Sequence, residues 1–186
     1  MRIGIIVGST RPNRKGLGVA QWVHGLAGKR SSAEYELVDI AEYNLPLLDE
    51  PVPPAMGSPP TQEHTRRWAA RIASFDGYIF VSPEYNHGPS GALKNALDFL
   101  FKEWCNKAAG FVGYGGTGAT RSIDMLRAIC SNLELATVRA QVSLTFASDF
   151  ENFSVFKPLP HQEKTLSQVL DQVEAWAGAL KPLRKG

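Results

Sequence analysis

Cysteine is nearly absent from this 186-residue chain: only Cys105 and Cys130 occur, and they form no Cys-x-x-Cys pair. That argues against a disulfide framework and suits a reducing cytoplasm. Long apolar runs are missing too. Ile3 to Val7 is too short for a signal peptide or a spanning helix, and Gly8 ends it, so neither export nor membrane insertion is expected. Charge of one sign is lacking, since 20 Lys+Arg against 18 Asp+Glu leave only +2. Such a balance offers no broad electrostatic surface for nucleic acid or membrane. The four histidines, His24, His64, His87 and His161, are scattered, so no metal-ligand spacing is present. Repeats, low-complexity tracts and linkers are also missing, and the length suits a single domain over residues 1–186.

What is present is an alternation of two periods. Arg2 to Val7 is a β-branched run without polar alternation, as in a strand buried on both faces. Val19, Trp22, Val23 and Leu26 then recur at intervals of three and four, predicting a helix over 16–28. Residues 35–40 read as a second strand, and the prolines between 43 and 60 exclude regular helix or central strand there. Thr61 is placed to cap a helix running to Ser74, with Glu63 in its first turn. Residues 77–81 read as a third strand, and Ser90 as the cap of a helix through Lys102 in which Lys94 and Asp98 pair one turn apart. A fourth strand (109–112), a helix (119–132), an alternating and more exposed fifth strand (136–144) and a closing helix (163–180) complete the pattern. Five strands alternating with five helices predict an α/β fold: a doubly wound parallel sheet with helices on both faces.

Ligands of such sheets bind beyond the carboxyl ends of the strands, near the switch point. Three loops of unusual composition fall there. Gly8 to Gly16 carries Ser9, Thr10, Arg11, Asn13 and Arg14 before a helix N-terminus, a place suited to a phosphate. It is neither GxxxxGK[ST] nor GxGxxG, so a terminal phosphate monoester fits better than a nucleoside triphosphate. Ser82 to Pro89 is stiffened by two prolines and offers Glu84, Tyr85 and Asn86 as the rim of a flat polar ring. Gly113 to Gly118 has four glycines in six residues, which permits close approach of a ligand. Each loop alone also reads as an ordinary turn. Together they suit a phosphate tail joined to a flat heterocycle, which describes FMN.

At these residues the sequence resembles the NADPH-dependent FMN reductase family of small quinone, azo-dye and chromate reductases. The likeness rests on Gly8-Ser9-Thr10-Arg11, on Ser82-Pro83-Glu84-Tyr85-Asn86 followed by Gly91 to Asp98, and on Leu45-Pro46-Leu47 with Asp49-Glu50-Pro51. It implies a flavodoxin-like fold with strand order 2-1-3-4-5, bound FMN, NADPH or NADH as electron donor, a small-molecule acceptor, and a homodimer or homotetramer. Carried over by position, Ser9, Arg11, Arg14, Gly16 and Leu17 would hold the phosphate. Pro83, Glu84, Tyr85 and Asn86 would border the ring, with Tyr114, Gly115 and Gly116 completing the border. Where many relatives place a second serine, this chain reads Asn13-Arg14-Lys15-Gly16. The flavin would carry the chemistry, so no catalytic acid or base is assigned. A flavodoxin-type electron carrier, or an FMN-binding module without turnover, is the alternative reading.

Overall fold

The computed structural model describes residues 1–184. Its first strand, β1 (Arg2–Val7), is buried beyond its first residue, as a run without polar alternation requires. Helix α1 (Gly16–Ala27) follows, then β2 (Glu34–Asp39), α2 (Glu63–Ala73), β3 (Gly77–Pro83), α3 (Gly91–Asp98), β4 (Lys107–Gly115), α4 (Thr120–Asn132) and β5 (Leu135–Thr145). Two short strands, β6 (Phe150–Glu151) and β7 (Val155–Phe156), pair antiparallel before the closing helix α5 (His161–Leu180). The five long strands form one parallel sheet in the order β2-β1-β3-β4-β5. This is the doubly wound arrangement that the alternation of periods predicts.

Side chains on alternate strand positions sort into two cores. Ile3, Ile5 and Val7 of β1, with Ile79 and Val81 of β3, meet α1 and α5 through Val19, Val23, Leu166 and Val169. Ile6, Tyr78, Phe80 and Phe111 face the other way, onto Trp68 and Ile72 of α2, Leu97 of α3 and Leu126 of α4. The second core is aromatic, and its buried indoles find acceptors: Trp68 Nε1 donates to Ala96 O at 2.8 Å and Trp104 Nε1 to Leu97 O at 3.2 Å. Each such ring contributes about 5 kcal/mol of transfer free energy before entropy, at ~25 cal/mol per Å² and ~200 Å² each. Trp22 instead packs half-buried, edge-on to Phe156, and Trp176 is exposed.

Four elements differ from the sequence expectation. Gln62, not Thr61, precedes α2, and neither side chain caps it. The Glu50 carboxylate reaches back from the proline-rich segment and accepts from Thr61 N, Thr61 Oγ1 and Gln62 N at 2.7–3.2 Å. Helix α3 stops at Asp98 rather than Lys102, because the chain turns to bury Phe99, Leu100 and Trp104. The expected Lys94–Asp98 pair does form, at 2.6 Å. A 3₁₀ turn, Ile40–Tyr43, follows β2, and the proline-rich stretch contains another, Pro54–Met56. The β6–β7 hairpin gave no pattern of its own.

Candidate flavin site

The switch point lies between β1 and β3. Helix α1 leaves one face of the sheet for β2, while α2 returns across the other face to β3. The register sets Val7 beside Val81, Ser82 beside Gly113 and Pro83 beside Tyr114. All three loops therefore leave the same edge, the first loop two residues earlier than the second. Gly8 N–H donates to Val81 O at 2.9 Å, tying the first loop to β3. Ser90 ties the first loop to the second: its Oγ accepts from Leu93 N at 3.0 Å, as an N-cap should, and donates to Gly8 O.

The first loop turns tightly. Asn13 sits at a left-handed φ of 56°, and Arg14 N donates to Arg11 O at 3.2 Å. Ser9 is buried, with its Oγ accepting from Arg11 N at 3.4 Å. Helix α1 starts without a side-chain cap, so its first N–H groups and positive end are open to an anion. Arg14 is paired with Asp39 at the end of β2, and the Asp39 carboxylate is fixed in turn by Ala41 N at 3.0 Å. The Arg14 Nε is buried without a partner. An orphaned guanidinium donor beside an uncapped helix start fits a phosphate.

The second loop contains a two-residue hairpin. Tyr85 and Gly88 exchange both backbone hydrogen bonds at 2.9 Å across Asn86 and His87, whose φ values are 49° and 70°. Two successive positive φ values define a type I′ turn, which Asn favours at its first position. It leaves Tyr85 41% exposed. In the third loop Tyr114 is buried, and its hydroxyl lies over the start of α1. A Cβ on Gly16 would come within 2.5 Å of that oxygen, so only glycine fits there. A Cβ on Gly116 would meet nothing within 4 Å, which leaves that backbone open to a ligand.

The loops converge on a cleft of about 140 Å³. Arg11, Arg14 and Lys15 line it from the first loop, Pro83, Glu84 and Tyr85 from the second, and Tyr114, Gly115 and Gly116 from the third. Of the remaining residues read from the sequence, Ser9 and Gly16 lie buried behind this lining, while Leu17 and Asn86 are exposed on its flanks. Burial, with the Tyr85 phenol nearby, pushes the Tyr114 phenol up, against the pull of Ser9 and the charges of Arg11 and Arg14. Burial also opposes ionisation of Glu84, but the Arg121 side chain and the Ser122 N–H outweigh it and hold the carboxyl below its ordinary value. Glu84 is thus a fixed anion, unsuited to proton transfer near neutral pH.

Two residues at this edge escaped the sequence reading. Phe146 lines the cleft from just past β5, and its N–H donates to Gly115 O at 3.1 Å. The strand-end rule applied to β5 would have found it. Arg121 meets Glu84 across 37 positions, and no local pattern announces that. Arg66, Arg67 and Arg71 are engaged elsewhere, with Glu63, the Tyr43 ring and Glu36 respectively. Among the described residues, no cluster of three His, Cys, Asp or Glu could hold a metal ion, and no helix is long and apolar enough to cross a membrane.

A family model for NADPH-dependent FMN reductases matches residues 1–149. The chain belongs to that family. Among proteins similar to it, an NAD(P)H-dependent FMN reductase of Nectria sp. is 40% identical, over 82% of this chain and 79% of the relative. A 2-hydroxy-1,4-benzoquinone reductase of Burkholderia sp. is 26% identical, over 95% and 96%. Among solved structures, the NAD(P)H:acceptor oxidoreductase FerB of Paracoccus denitrificans shares the fold, with a TM-score of 0.69 and 20% identity over 97% of each chain. As a member of this family the chain is an oxidoreductase, with FMN as cofactor and NAD(P)H as donor.

Proposed function

We propose that the three-loop cleft holds FMN and that the protein uses it to reduce small acceptors: quinones, azo compounds, metal oxyanions or free flavin. One observation carries the reading. Cations from the first loop and the aromatic and glycine surfaces of the other two line a single cleft, beside the uncapped start of α1. Arg11, Arg14 and the α1 N–H groups would take the phosphate, with Ser9 and Gly16 shaping the turn and Leu17 following it in the first helical turn. Pro83 to Asn86 and Tyr114 to Gly116 would border the ring. When bound, FMN supplies hydride transfer from NAD(P)H to the acceptor. The chain's own residues bind, orient and leave access. Tyr85, half-exposed on a rigid turn, offers a stacking surface without closing the site. No protein group is required to move a proton.

We further infer that residues 1–184 act as one flavin-binding unit, since every loop of the cleft comes from the same sheet. We also infer a homodimer or homotetramer, because the proline-rich segment exposes Leu47, Leu48, Val52 and Met56 together. Free Cys105 and Cys130 suit the reducing cytoplasm. The decisive experiment is a visible spectrum of the purified protein supplied with FMN, before and after anaerobic NADPH, and then with a quinone. Flavin uptake, bleaching, and recovery of colour with the quinone are expected. A protein that takes up no flavin overturns the reading, and flavin that NAD(P)H leaves oxidised turns it into a carrier.

A further inference from the structure

The sheet stops holding the second and third loops together at the pair Pro83–Tyr114. Beyond it the ladder ends, and Glu84, Tyr85, Gly115 and Gly116 line the cleft. The hydrogen bonds past this point come from side chains. Glu84 Oε1 accepts from Arg121 Nε at 2.8 Å and faces Thr117 Oγ1 at 3.5 Å, while Arg121 Nη2 donates to Thr117 Oγ1 at 2.9 Å. Glu84 Oε2 accepts from Ser122 N at 3.4 Å. Ser122 Oγ adds a bond to Pro83 O at 2.9 Å.

This cluster also repairs a defect in α4. The residue before that helix is Ala119, held at a left-handed φ of 56° with no side chain able to cap it. The Glu84 carboxylate, only 9% exposed, supplies the missing acceptor from another loop and places a negative charge at the positive helix end. Both carboxylate oxygens are engaged, which holds the backbone beside them in place.

We propose that Glu84 and Arg121 are positioning residues: their ion pair latches the second loop to the third and sets the gap that grips the flavin ring. Resting on the flavin reading above, this goes beyond it by making the ring's affinity depend on Arg121, which lies outside the cleft lining and reaches it through Glu84. Arg121 acts through Glu84 on the second loop and Thr117 on the third. Breaking the latch should weaken ring binding while leaving the phosphate contacts of the first loop untouched.

The test is fluorescence titration of the deflavinated full-length protein with FMN and with riboflavin, which lacks the phosphate. Glu84→Gln and Arg121→Ala should each raise both dissociation constants by about tenfold, the scale of one charge-assisted hydrogen bond. The double variant should be little worse than either single one, as coupled partners require. Arg121→Lys, which keeps the charge, should recover part of the loss. The flavin reduction potential supplies a readout that a purely structural role would not split. Arg121→Ala leaves the Glu84 charge uncompensated and should lower the potential, whereas Glu84→Gln leaves the Arg121 charge and should raise it. Affinities within twofold of the parent, a loss confined to FMN, or potentials moving together would overturn the latch. A parent protein that binds neither flavin would instead overturn the flavin reading. Arg121 is 44% exposed, so its variants should fold even if Glu84→Gln does not.

Discussion

Individual side chains divide the cleft into parts that different ligands can probe. Arg11 is exposed at the turn of the first loop and lines the cleft. Arg11→Ala should weaken FMN binding by about 1.5–3 kcal/mol, the range for a hydrogen bond to a charged group. Riboflavin affinity should not move, and equal losses for the two ligands would place Arg11 away from the phosphate. Gly16→Ala tests a steric claim. Its Cβ would lie 2.5 Å from the Tyr114 hydroxyl, and that phenol is buried and cannot easily retreat. The variant should bind both flavins more weakly and melt earlier, which flavin titration and thermal unfolding would measure. Much of this site was legible because its residues sit at strand ends with turn chemistry written locally. Arg14 was legible as a cation of the loop, but its pairing with Asp39 was not, because 25 positions separate them.

Elements were legible where their signal was local and illegible where it was borrowed. Ser90 caps α3 as its sequence context suggests, since the bond to Leu93 N spans only three residues. Helix α2 lacks any cap of its own, and Glu50 serves it from the proline-rich segment. No pattern around Thr61 could announce a carboxylate 11 residues upstream. The same bond makes this region sensitive to acid. Although burial alone would raise the Glu50 carboxyl, the Thr61 and Gln62 donors outweigh it and hold the group at about 2, against an ordinary 4.5. An unfolded chain binds this proton first as pH falls, so the contribution is complete above pH ~4.5 and fades toward pH ~2. Hydrogen exchange in the first turn of α2 and in residues 50–61 should therefore quicken over that window. Glu50→Gln should quicken it already at pH 7. Unchanged exchange in that variant would show that the prolines alone hold the segment.

The two buried faces of the sheet carry groups that govern how the whole molecule meets alkali. Tyr35, Tyr78 and Tyr114 are at most 7% exposed, and burial pushes all three phenols well above their ordinary value of 10. Burial likewise raises the Cys130 thiol from 9 to about 12. Each keeps its proton in the fold at a pH where the unfolded chain releases it, so each lowers stability as pH climbs past the ordinary value. Lys107 works in the opposite sense. It is 4% exposed at the start of β4, where burial lowers its ammonium from 10.5 to about 8, although Ile72 O, Ala73 O and Tyr78 Oη accept from it at 2.9–3.3 Å. Between those values the unfolded chain holds the extra proton, and the fold gains stability as pH rises. One such group sets a slope of about +1.4 kcal/mol per pH unit, and four opposing groups set about −5.5 once all are past their unfolded values. The four win above pH ~10, and a domain of ordinary stability, about 5–15 kcal/mol, would unfold within one to three pH units of there. Urea titrations at half-unit intervals from pH 8 to 11.5 should show little change up to pH ~9 and a steep fall beyond pH ~10. Tyr35→Phe removes one of the four and should flatten that fall by about a quarter, or ~1.4 kcal/mol per pH unit. A fall of undiminished steepness in this variant would mean that the Tyr35 phenol already ionises in the fold.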